Sequence, residues 1–302
     1  MNIRQTTRQL LRTMILAVAG VLTAALVSES GLAQNKGPYL GQDPPGMTPE
    51  LFGPGIVSTD AHEFSISMNP EATEIYFSRG EGPNNTKKIM VTRLERDGWT
   101  TPAPLFPDFP EQFEPGVTPD GQHLQFIAFH VTEGQSRPGL DMYRADRDGK
   151  NWGKPYHLGA PFNPSHSMYC SFTNDGTVYT TDPQTGGLDI ARTKPTKDGF
   201  GPYENLGKPI NTDGPEMYPF VAPDESYLLF CSMIEGRQVI MASFRMEDGT
   251  WSQPKEVPLG MNAGVPFVSR DGKYFFFTAG KMPSDIYWVD FEIVRKLKPT
   301  GK

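Results

Sequence analysis

The chain has 302 residues, of which 37% are hydrophobic and 21% charged, and its formal net charge is −7. This composition is typical of a soluble globular protein, and the length is sufficient for one large all-β domain. The 31 Gly and 29 Pro residues agree with many short strands joined by turns, and they are too dispersed to indicate disorder. The acidic balance gives no electrostatic reason to bind nucleic acid or an anionic membrane.

Residues 1–33 are predicted to be a signal peptide that is not part of the fold. A stretch with three arginines precedes an apolar run from residue 14 to 27, and Gly31-Leu32-Ala33 follows. This pattern indicates export with cleavage after Ala33, and therefore a mature protein that is periplasmic or secreted and does not span a membrane. The alternative is an uncleaved N-terminal anchor, although the apolar run is short for a spanning helix. Cleavage would change the net charge to −9, because three Arg and one Glu would be removed.

After a Gly- and Pro-rich leader at 34–48, which is expected to be extended, one unit recurs about every 50 residues. Each unit has an apolar strand, an inner turn, an aromatic-rich strand, a third strand and an outer Asp-Gly turn followed by an aromatic residue. The inner turns are Asn69-Pro70-Glu71-Ala72, Pro119-Asp120-Gly121, Asn174-Asp175-Gly176, Pro223-Asp224-Glu225 and Arg270-Asp271-Gly272. Four short antiparallel strands of this kind make one blade of a β-propeller, so the five copies predict an all-β, five-bladed β-propeller.

The fifth copy ends after Trp288-Val289-Asp290 without an outer strand of its own. The missing strand is predicted at the other end of the chain, because residues 49–54 resemble residues 202–207, which form an outer strand in the third copy. The N-terminal strand would then close the ring and protect its edges. This places the propeller at 49–292, followed by a basic tail at 293–302 that is expected to fray.

The repeats resemble the WD40-like repeat of the TolB-type β-propeller family, over roughly Pro49 to Val289. Pro119-Asp120-Gly121 and Asp285-Ile286-Tyr287 fit the family pattern, whereas the first and third inner turns depart from it. The resemblance implies the propeller fold and an exported bacterial protein. It implies little about chemistry, because one fold serves many functions.

Two recurring residue types are expected to be structural. Cys170 and Cys231 lie in different copies, and although export would permit a disulfide, two buried unpaired thiols are favoured. Aromatic residues recur at one position of the outer turns, where packing between blades is favoured over a ring that stacks on sugars. These aromatic residues are Trp99, Trp152, Phe200 and Trp251.

Candidate binding residues come from one face of the predicted propeller. The loops that enter the first strands and the loops that join second to third strands share this face, which we call the mouth face, around the central channel. The predicted ligand-binding residues there are His62, Glu63, Arg79, Glu114, His130, His166, Asp182, Glu216 and Arg237. No catalytic residue is assigned.

Three glutamates at the mouth could act together. Glu63 and Glu216 lie eight residues before the acidic residue of the inner turn and Glu114 lies six before it, and these even offsets predict similar strand orientations. The three carboxylates could hold a cation such as Ca²⁺ or act on a glycosidic bond. The favoured alternative is that they accept backbone N–H bonds from the neighbouring blade as structural contacts. The pair His62 and His166 could bind a metal or titrate, but a structural role is favoured there too.

No phosphate-binding loop, GxSxG elbow or zinc spacing occurs in the sequence. We therefore expect a monomeric, non-catalytic binding module for an envelope protein, a peptide or a glycan, with no certain cofactor. The alternatives are a five-bladed glycoside hydrolase or lyase that uses the mouth glutamates, and a structural component of the envelope.

Overall fold

The computed structural model of the chain describes residues 36–82, 84–109, 111–130, 139–163, 168–182 and 187–300, and of His130 the backbone alone. The predicted signal peptide therefore lies outside the described residues. The strands, in chain order, are β1 (Glu50–Leu51), β2 (His62–Met68), β3 (Glu74–Glu81), β4 (Thr86–Glu95), β5 (Gly98–Trp99), β6 (Ala103–Pro104), β7 (Gln112–Val117), β8 (His123–His130), β9 (Gly139–Asp148), β10 (Asn151–Trp152), β11 (Tyr156–His157), β12 (Cys170–Phe172), β13 (Val178–Asp182), β14 (Asp189–Thr193), β15 (Pro195–Thr196), β16 (Gly199–Phe200), β17 (Glu204–Asn205), β18 (Glu216–Val221), β19 (Tyr227–Ile234), β20 (Arg237–Phe244), β21 (Lys255–Glu256), β22 (Ala263–Val268), β23 (Tyr274–Ala279) and β24 (Asp285–Asp290).

These strands form five antiparallel blades, which confirms the predicted five-bladed propeller. Blade 1 contains β2, β3, β4 and β6, and blade 2 contains β7, β8, β9 and β11. Blade 3 contains β12, β13, β14 and β17, and blade 4 contains β18, β19, β20 and β21. The first strand of each blade lines the central channel, and the Asp-Gly turns lie on the face opposite the mouth.

Blade 5 contains β22, β23 and β24 and is completed by β1, so the predicted closure by the N-terminal strand is confirmed. Glu50 lies opposite Trp288 in the sheet. Just after β1, the fully buried ring of Phe52 lies 5.0 Å from the Phe276 ring and 5.1 Å from the Trp288 ring. Gly53 then turns the chain at φ +57, where a Cβ atom would lie 2.5 Å from Leu40.

The first strands of blades 1, 2, 4 and 5 are distorted near their middles in a way that the sequence did not indicate. The register between the first and second strands shifts in blades 1, 2, 4 and 5. The residue at the shift has a left-handed backbone in each of these blades, with φ between 49 and 57. These residues are Ser65, Glu114, Tyr218 and Val265. Such bulges interrupt the alternation of side chains along a strand and re-aim the residue at the bulge.

Contacts between neighbouring blades bear out the structural interpretation of the outer aromatic residues. Trp152 of blade 2 donates a hydrogen bond to the Tyr76 hydroxyl of blade 1 (3.0 Å), and the Arg147 guanidinium lies 4.7 Å from its ring. Cys170 and Cys231 are buried free thiols, as expected.

The segments before and after the propeller pack against blade 5. The leader contains a single turn of 3-10 helix (Tyr39–Gly41) whose first two residues are buried. The predicted tail begins inside a short helix, α1 (Glu292–Arg295), in which Ile293 and Val294 are buried. Among the described residues, none of the helices has the length and apolar character needed to cross a membrane.

We predict that the closing segment is essential for stability. Phe52→Ala should lower the free energy of unfolding by about 3–5 kcal/mol, because it leaves a cavity beside Phe276 and Trp288. The matched control, Phe129→Ala, removes a ring that is 36% exposed, and it should cost less than about 1 kcal/mol. Denaturant unfolding followed by tryptophan fluorescence would measure both. Equal midpoints for the two variants would show that the closing segment contributes little.

Candidate functional site

Two of the three mouth glutamates are structural. Glu63 and Glu216 are completely buried. The Glu216 carboxylate accepts a hydrogen bond from the Thr212 backbone N–H (2.9 Å) and another from the Thr212 hydroxyl (2.7 Å). Thr59 binds the Glu63 carboxylate in the same way, at 3.2 and 2.6 Å. The two carboxylates therefore fix the loops that enter β2 and β18.

The common orientation expected for the three glutamates does not hold for Glu114. Gln112, eight residues before the acidic turn residue Asp120, occupies the position in blade 2 that corresponds to Glu63 and Glu216. It is completely buried, and its amide donates to the Phe106 carbonyl oxygen (2.9 Å). Glu114 is instead the bulge residue, so counting by even offsets fails for it.

Two other predicted residues, Arg79 and His62, bind neighbouring protein groups. Arg79 pairs with Glu63 (Nε to Oε1, 2.7 Å) and donates to the Ile56 carbonyl oxygen (2.8 Å), so it holds the closing segment. The His62 ring stacks on Phe64, and its Nδ1 lies 2.9 Å from the Ser284 hydroxyl of blade 5. Burial, followed by the charge of Lys87, lowers the pKa of His62.

The remaining predicted residues do not gather into one cluster. Arg237 is half-exposed and lies 3.5 Å from Glu256, and Asp182 is buried at the end of β13. The backbone of His130 ends β8, and His166 lies outside the described residues. Within the described ranges, no group of three or more His, Cys, Asp or Glu side chains could hold a metal ion. The possible Ca²⁺ site stays a prediction.

Glu114 has the most unusual surroundings of the predicted residues. The bulge turns it toward the central channel, where its residue exposure is only 7%. Its backbone N–H donates to the Ser78 hydroxyl of blade 1 (2.8 Å), and the Tyr169 backbone bonds its carboxyl group. Tyr169 reaches from blade 3 toward blade 5, since its hydroxyl donates to the Pro266 carbonyl oxygen (3.2 Å). The Tyr218 ring lies 6.3 Å from the Tyr169 ring.

The channel is therefore closed at the level of the bulges by what we call the channel floor, which consists of Ser65, Glu114, Tyr169, Tyr218 and Val265. Burial raises the pKa of Glu114 to about 8, although the bond from the Tyr169 backbone acts in the opposite direction. The carboxyl group is thus mostly protonated at neutral pH and can donate a hydrogen bond. The charge of Glu114 and then burial raise the pKa of Tyr218.

The mouth face also carries apolar side chains that sequence reasoning missed. Seven large hydrophobic side chains are exposed among the described residues, and four of them lie on this face. The four are Phe129 (36%), Met233 (42%), Met261 (37%) and Met282 (70%). Each is a single residue at a strand end or in a loop, so no sequence period marks them, and only the propeller topology collects them.

The pH dependence of stability should report on Glu114. The pKa of this carboxyl group rises from 4.5 to about 8 on folding, so between these values the folded state holds a proton that the unfolded state has released. The contribution of this carboxyl group to the free energy of unfolding is constant below about pH 4. It becomes increasingly destabilising as the pH rises to about 8, and it is constant above that pH. Glu114→Gln cannot ionise. It should melt at a higher temperature than the parent at pH 8 and at a similar temperature at pH 4. A constant difference across this range would contradict a protonated Glu114.

Comparison with solved structures supports the fold. No protein-family model matches the chain, and no curated protein matches it in sequence. A TolB-type protein from Agrobacterium tumefaciens is 16% identical with a TM-score of 0.52, and the match covers 77% of this chain and 78% of that one. TolB from Acinetobacter baumannii is 14% identical with a TM-score of 0.50, covering 76% of this chain and 54% of that one, so this chain spans about half its length. An endo-arabinase from Bacteroides thetaiotaomicron VPI-5482 is 16% identical with a TM-score of 0.52, and the match covers 78% of this chain and 94% of that one. The predicted resemblance to TolB-type propellers is therefore confirmed as a likeness of fold.

Proposed function

We propose that this chain is an exported, non-catalytic binding module whose mouth face holds an apolar segment of a peptide or of a partner protein. The observation that carries the proposal is the set of exposed methionines on the mouth face, above a channel that is closed. Exposed apolar side chains that share one face are characteristic of protein interaction sites.

The chemistry of the mouth favours a protein segment over a glycan or a cation. Met233, Met261 and Met282 come from blade 4, from the connection between blades 4 and 5, and from blade 5. Methionine side chains are flexible and polarizable, and they adapt to varied apolar partners. By contrast, Glu63 and Glu216 are already bonded to threonines. Few predicted polar groups of the described mouth are therefore available to a sugar or an ion.

The closed channel favours a shallow contact. Tyr169 crosses the channel at the level of Glu114, so a ligand at the mouth meets a floor and not an open passage. A flat or slightly concave surface with apolar residues around it suits a chain segment that lies across it.

A glycosidase is the second candidate, because a protonated Glu114 has the state that a general acid needs. An endo-arabinase with the same fold shows that such chemistry is compatible with the propeller. A glycosidase normally needs a second carboxyl group within about 5–9.5 Å. Glu114 is also only 7% exposed, which restricts the access of a sugar ring to its carboxyl group. This favours binding over catalysis.

We predict that substitutions on the mouth face weaken peptide binding. A phage-displayed random peptide library, selected on the purified chain, should yield peptides rich in Leu, Phe and Met. Burying one methionine contributes about 1.5–3 kcal/mol, so Met233→Glu or Met282→Glu should raise the Kd of a selected synthetic peptide by about tenfold or more. Isothermal titration calorimetry would measure the change.

The matched control is Met246→Glu. Met246 is 36% exposed but lies in the outer turn of blade 4, on the opposite face, so its substitution should leave the Kd unchanged. Equal effects of the mouth and control substitutions would refute binding at the mouth. Release of reducing sugars from arabinan, lost in Glu114→Gln, would instead establish the enzyme.

A further inference from the structure

A second candidate site lies between blades 2 and 3, on the face opposite the mouth. The cavity there measures about 430 Å³ and is lined by Gln125 and Arg144 of blade 2 and by Phe172, Gly176, Pro195 and Phe200 of blade 3. We call it the interblade cavity. Its volume is in the range of small-molecule sites, which is about 300–1,000 Å³.

The corresponding space between blades 1 and 2 is filled by side chains of the protein. Tyr76 of blade 1 extends toward blade 2, where its hydroxyl accepts a hydrogen bond from Trp152 (3.0 Å). Arg147 of blade 2 returns across the interface and pairs with Glu74 of blade 1 (2.6 Å). A tyrosine ring, a tryptophan ring, a guanidinium and a carboxylate thus occupy this interface together.

Blades 3 and 4 bring the same kinds of group together, although here the carboxylate belongs to the second blade of the pair and not to the first. The Tyr179 hydroxyl of blade 3 donates to the Glu225 carboxylate of blade 4. Arg245 pairs with the same carboxylate (3.0 Å) and lies 3.9 Å from the centre of the Trp251 ring. Arg192 of blade 3 also approaches Glu225 (3.7 Å). The recurrence shows which groups the space between two blades accommodates.

Matching backbone hydrogen bonds identify the residues that stand at these positions between blades 2 and 3. Counting from the inner turns, Gln125 stands where Tyr76 and Tyr179 stand, and Gly176 stands where Glu225 stands. Counting from the outer turns, Pro195 replaces Arg147 and Arg245, and Phe200 replaces Trp152 and Trp251. Gln125, Pro195 and Phe200 differ from the residues at both filled interfaces, and each is smaller or uncharged. At the position of Glu225, the interface between blades 1 and 2 also has a glycine, Gly121, and it takes its carboxylate from Glu74 instead.

Arg144 of blade 2 lacks the carboxylate from the next blade that its counterpart Arg192 has in Glu225. Arg144 lies opposite Gln125 in the sheet, as Arg192 lies opposite Tyr179. Arg192 pairs with Glu204 and Glu225, whereas Arg144 has only the exposed Asp146 as an acidic neighbour, at 3.7 Å, among the described residues. The buried Nε of Arg144 has no hydrogen-bond partner in the described part of the chain. Gln125 is 1% exposed, and within the described part of the chain its amide nitrogen donates only to the sulfur atoms of Met142 and Cys170. Two buried polar groups at this cavity thus lack good acceptors, which is costly unless a ligand supplies them.

We propose that the interblade cavity binds a small aromatic monocarboxylate, whose carboxylate pairs with Arg144 and whose ring fills the space left by the absent tyrosine. Phe172, Phe200 and Pro195 provide the apolar walls for such a ring. The guanidinium provides the planar donors that a carboxylate matches.

The rim of the cavity limits the charge of the ligand. Asp120 and Asp175 line it from the inner turns, where each caps its own turn through a threonine hydroxyl and a backbone N–H. His123 is bonded to Asp146 (2.7 Å), so it does not add a free charge. Two carboxylates near the opening repel a second negative charge, and they therefore disfavour phosphate and dicarboxylates. They would attract the ammonium group of an aromatic amino acid.

Calorimetric titration of the purified chain would test the proposal with four probes: 3-phenylpropanoate, its neutral analogue 3-phenylpropanol, L-phenylalanine and inorganic phosphate. We expect saturable binding of 3-phenylpropanoate, at least about tenfold weaker binding of the alcohol, and no binding of phosphate. Tighter binding of L-phenylalanine than of 3-phenylpropanoate would identify amino acids as the source of the ligand. The reverse order would identify simple aromatic acids.

Two variants assign any binding to this cavity. Arg144→Gln should weaken 3-phenylpropanoate at least about tenfold and leave the alcohol unchanged, whereas Arg192→Gln, at the matched position of blade 3, should leave both unchanged. Gln125→Tyr should abolish binding and raise the Tm, because the ring fills the cavity as Tyr76 does. If Gln125→Tyr does not fold, Arg144→Gln with unchanged circular dichroism decides. Absence of saturable 3-phenylpropanoate binding, or equal affinity in the parent and in Arg144→Gln, would overturn the proposal.

Discussion

The ring depends on hydrogen bonds that join the first strands of blades 1, 2 and 4 to the blades before them. The backbone N–H of the bulge residue donates to a hydroxyl on the second strand of the preceding blade, as Glu114 does to Ser78 (2.8 Å), Tyr218 to Thr181 (3.1 Å) and Ser65 to Thr278 (3.1 Å). A regular strand would direct this N–H along its own sheet, so the bond between blades requires the left-handed residue. The same residue then projects its side chain toward the channel. One backbone feature therefore contributes both to the packing between these blades and to the channel floor, in which every residue except Tyr169 stands at a bulge.

Much of the fold is predictable from the sequence because its determinants are local. Asp-Gly and Pro-Asp turns, alternating apolar strands and one displaced strand are each read from a few adjacent residues. The orientation of a side chain within a first strand is less local, since a single bulge reverses it. For this reason the even offsets in the sequence group Glu63 and Glu216 with Glu114. In the structure, Gln112 has the matching position and a matching buried environment.

The two proposed binding surfaces are harder to foresee from the sequence, for two physical reasons. The mouth methionines are separated by tens of residues, and the closed ring alone brings Met233, Met261 and Met282 to one face. The interblade cavity is created by the loss of groups, and a loss is visible only when blades are compared position by position. Gln125 and Gly176 are unremarkable residues in the sequence. They indicate a cavity only by comparison with Tyr179 and Glu225, which occupy the same positions at the next interface and bond each other there.

The closing strand also constrains the time at which the domain can form. The Ser58 hydroxyl donates to the Ile286 carbonyl oxygen across a separation of 228 residues, and β1 pairs with β24 close by. During synthesis, the N-terminal partner of this contact emerges long before the C-terminal partner exists. Blades 1 to 4 contain all of their own strands, whereas blade 5 must wait for the end of the chain. Contacts between such distant residues slow folding, because a long loop must close before they form. Until then, Phe52 and Trp288 would expose apolar surface at both open edges, so completion of the ring is the step at which the nascent protein is most prone to aggregate.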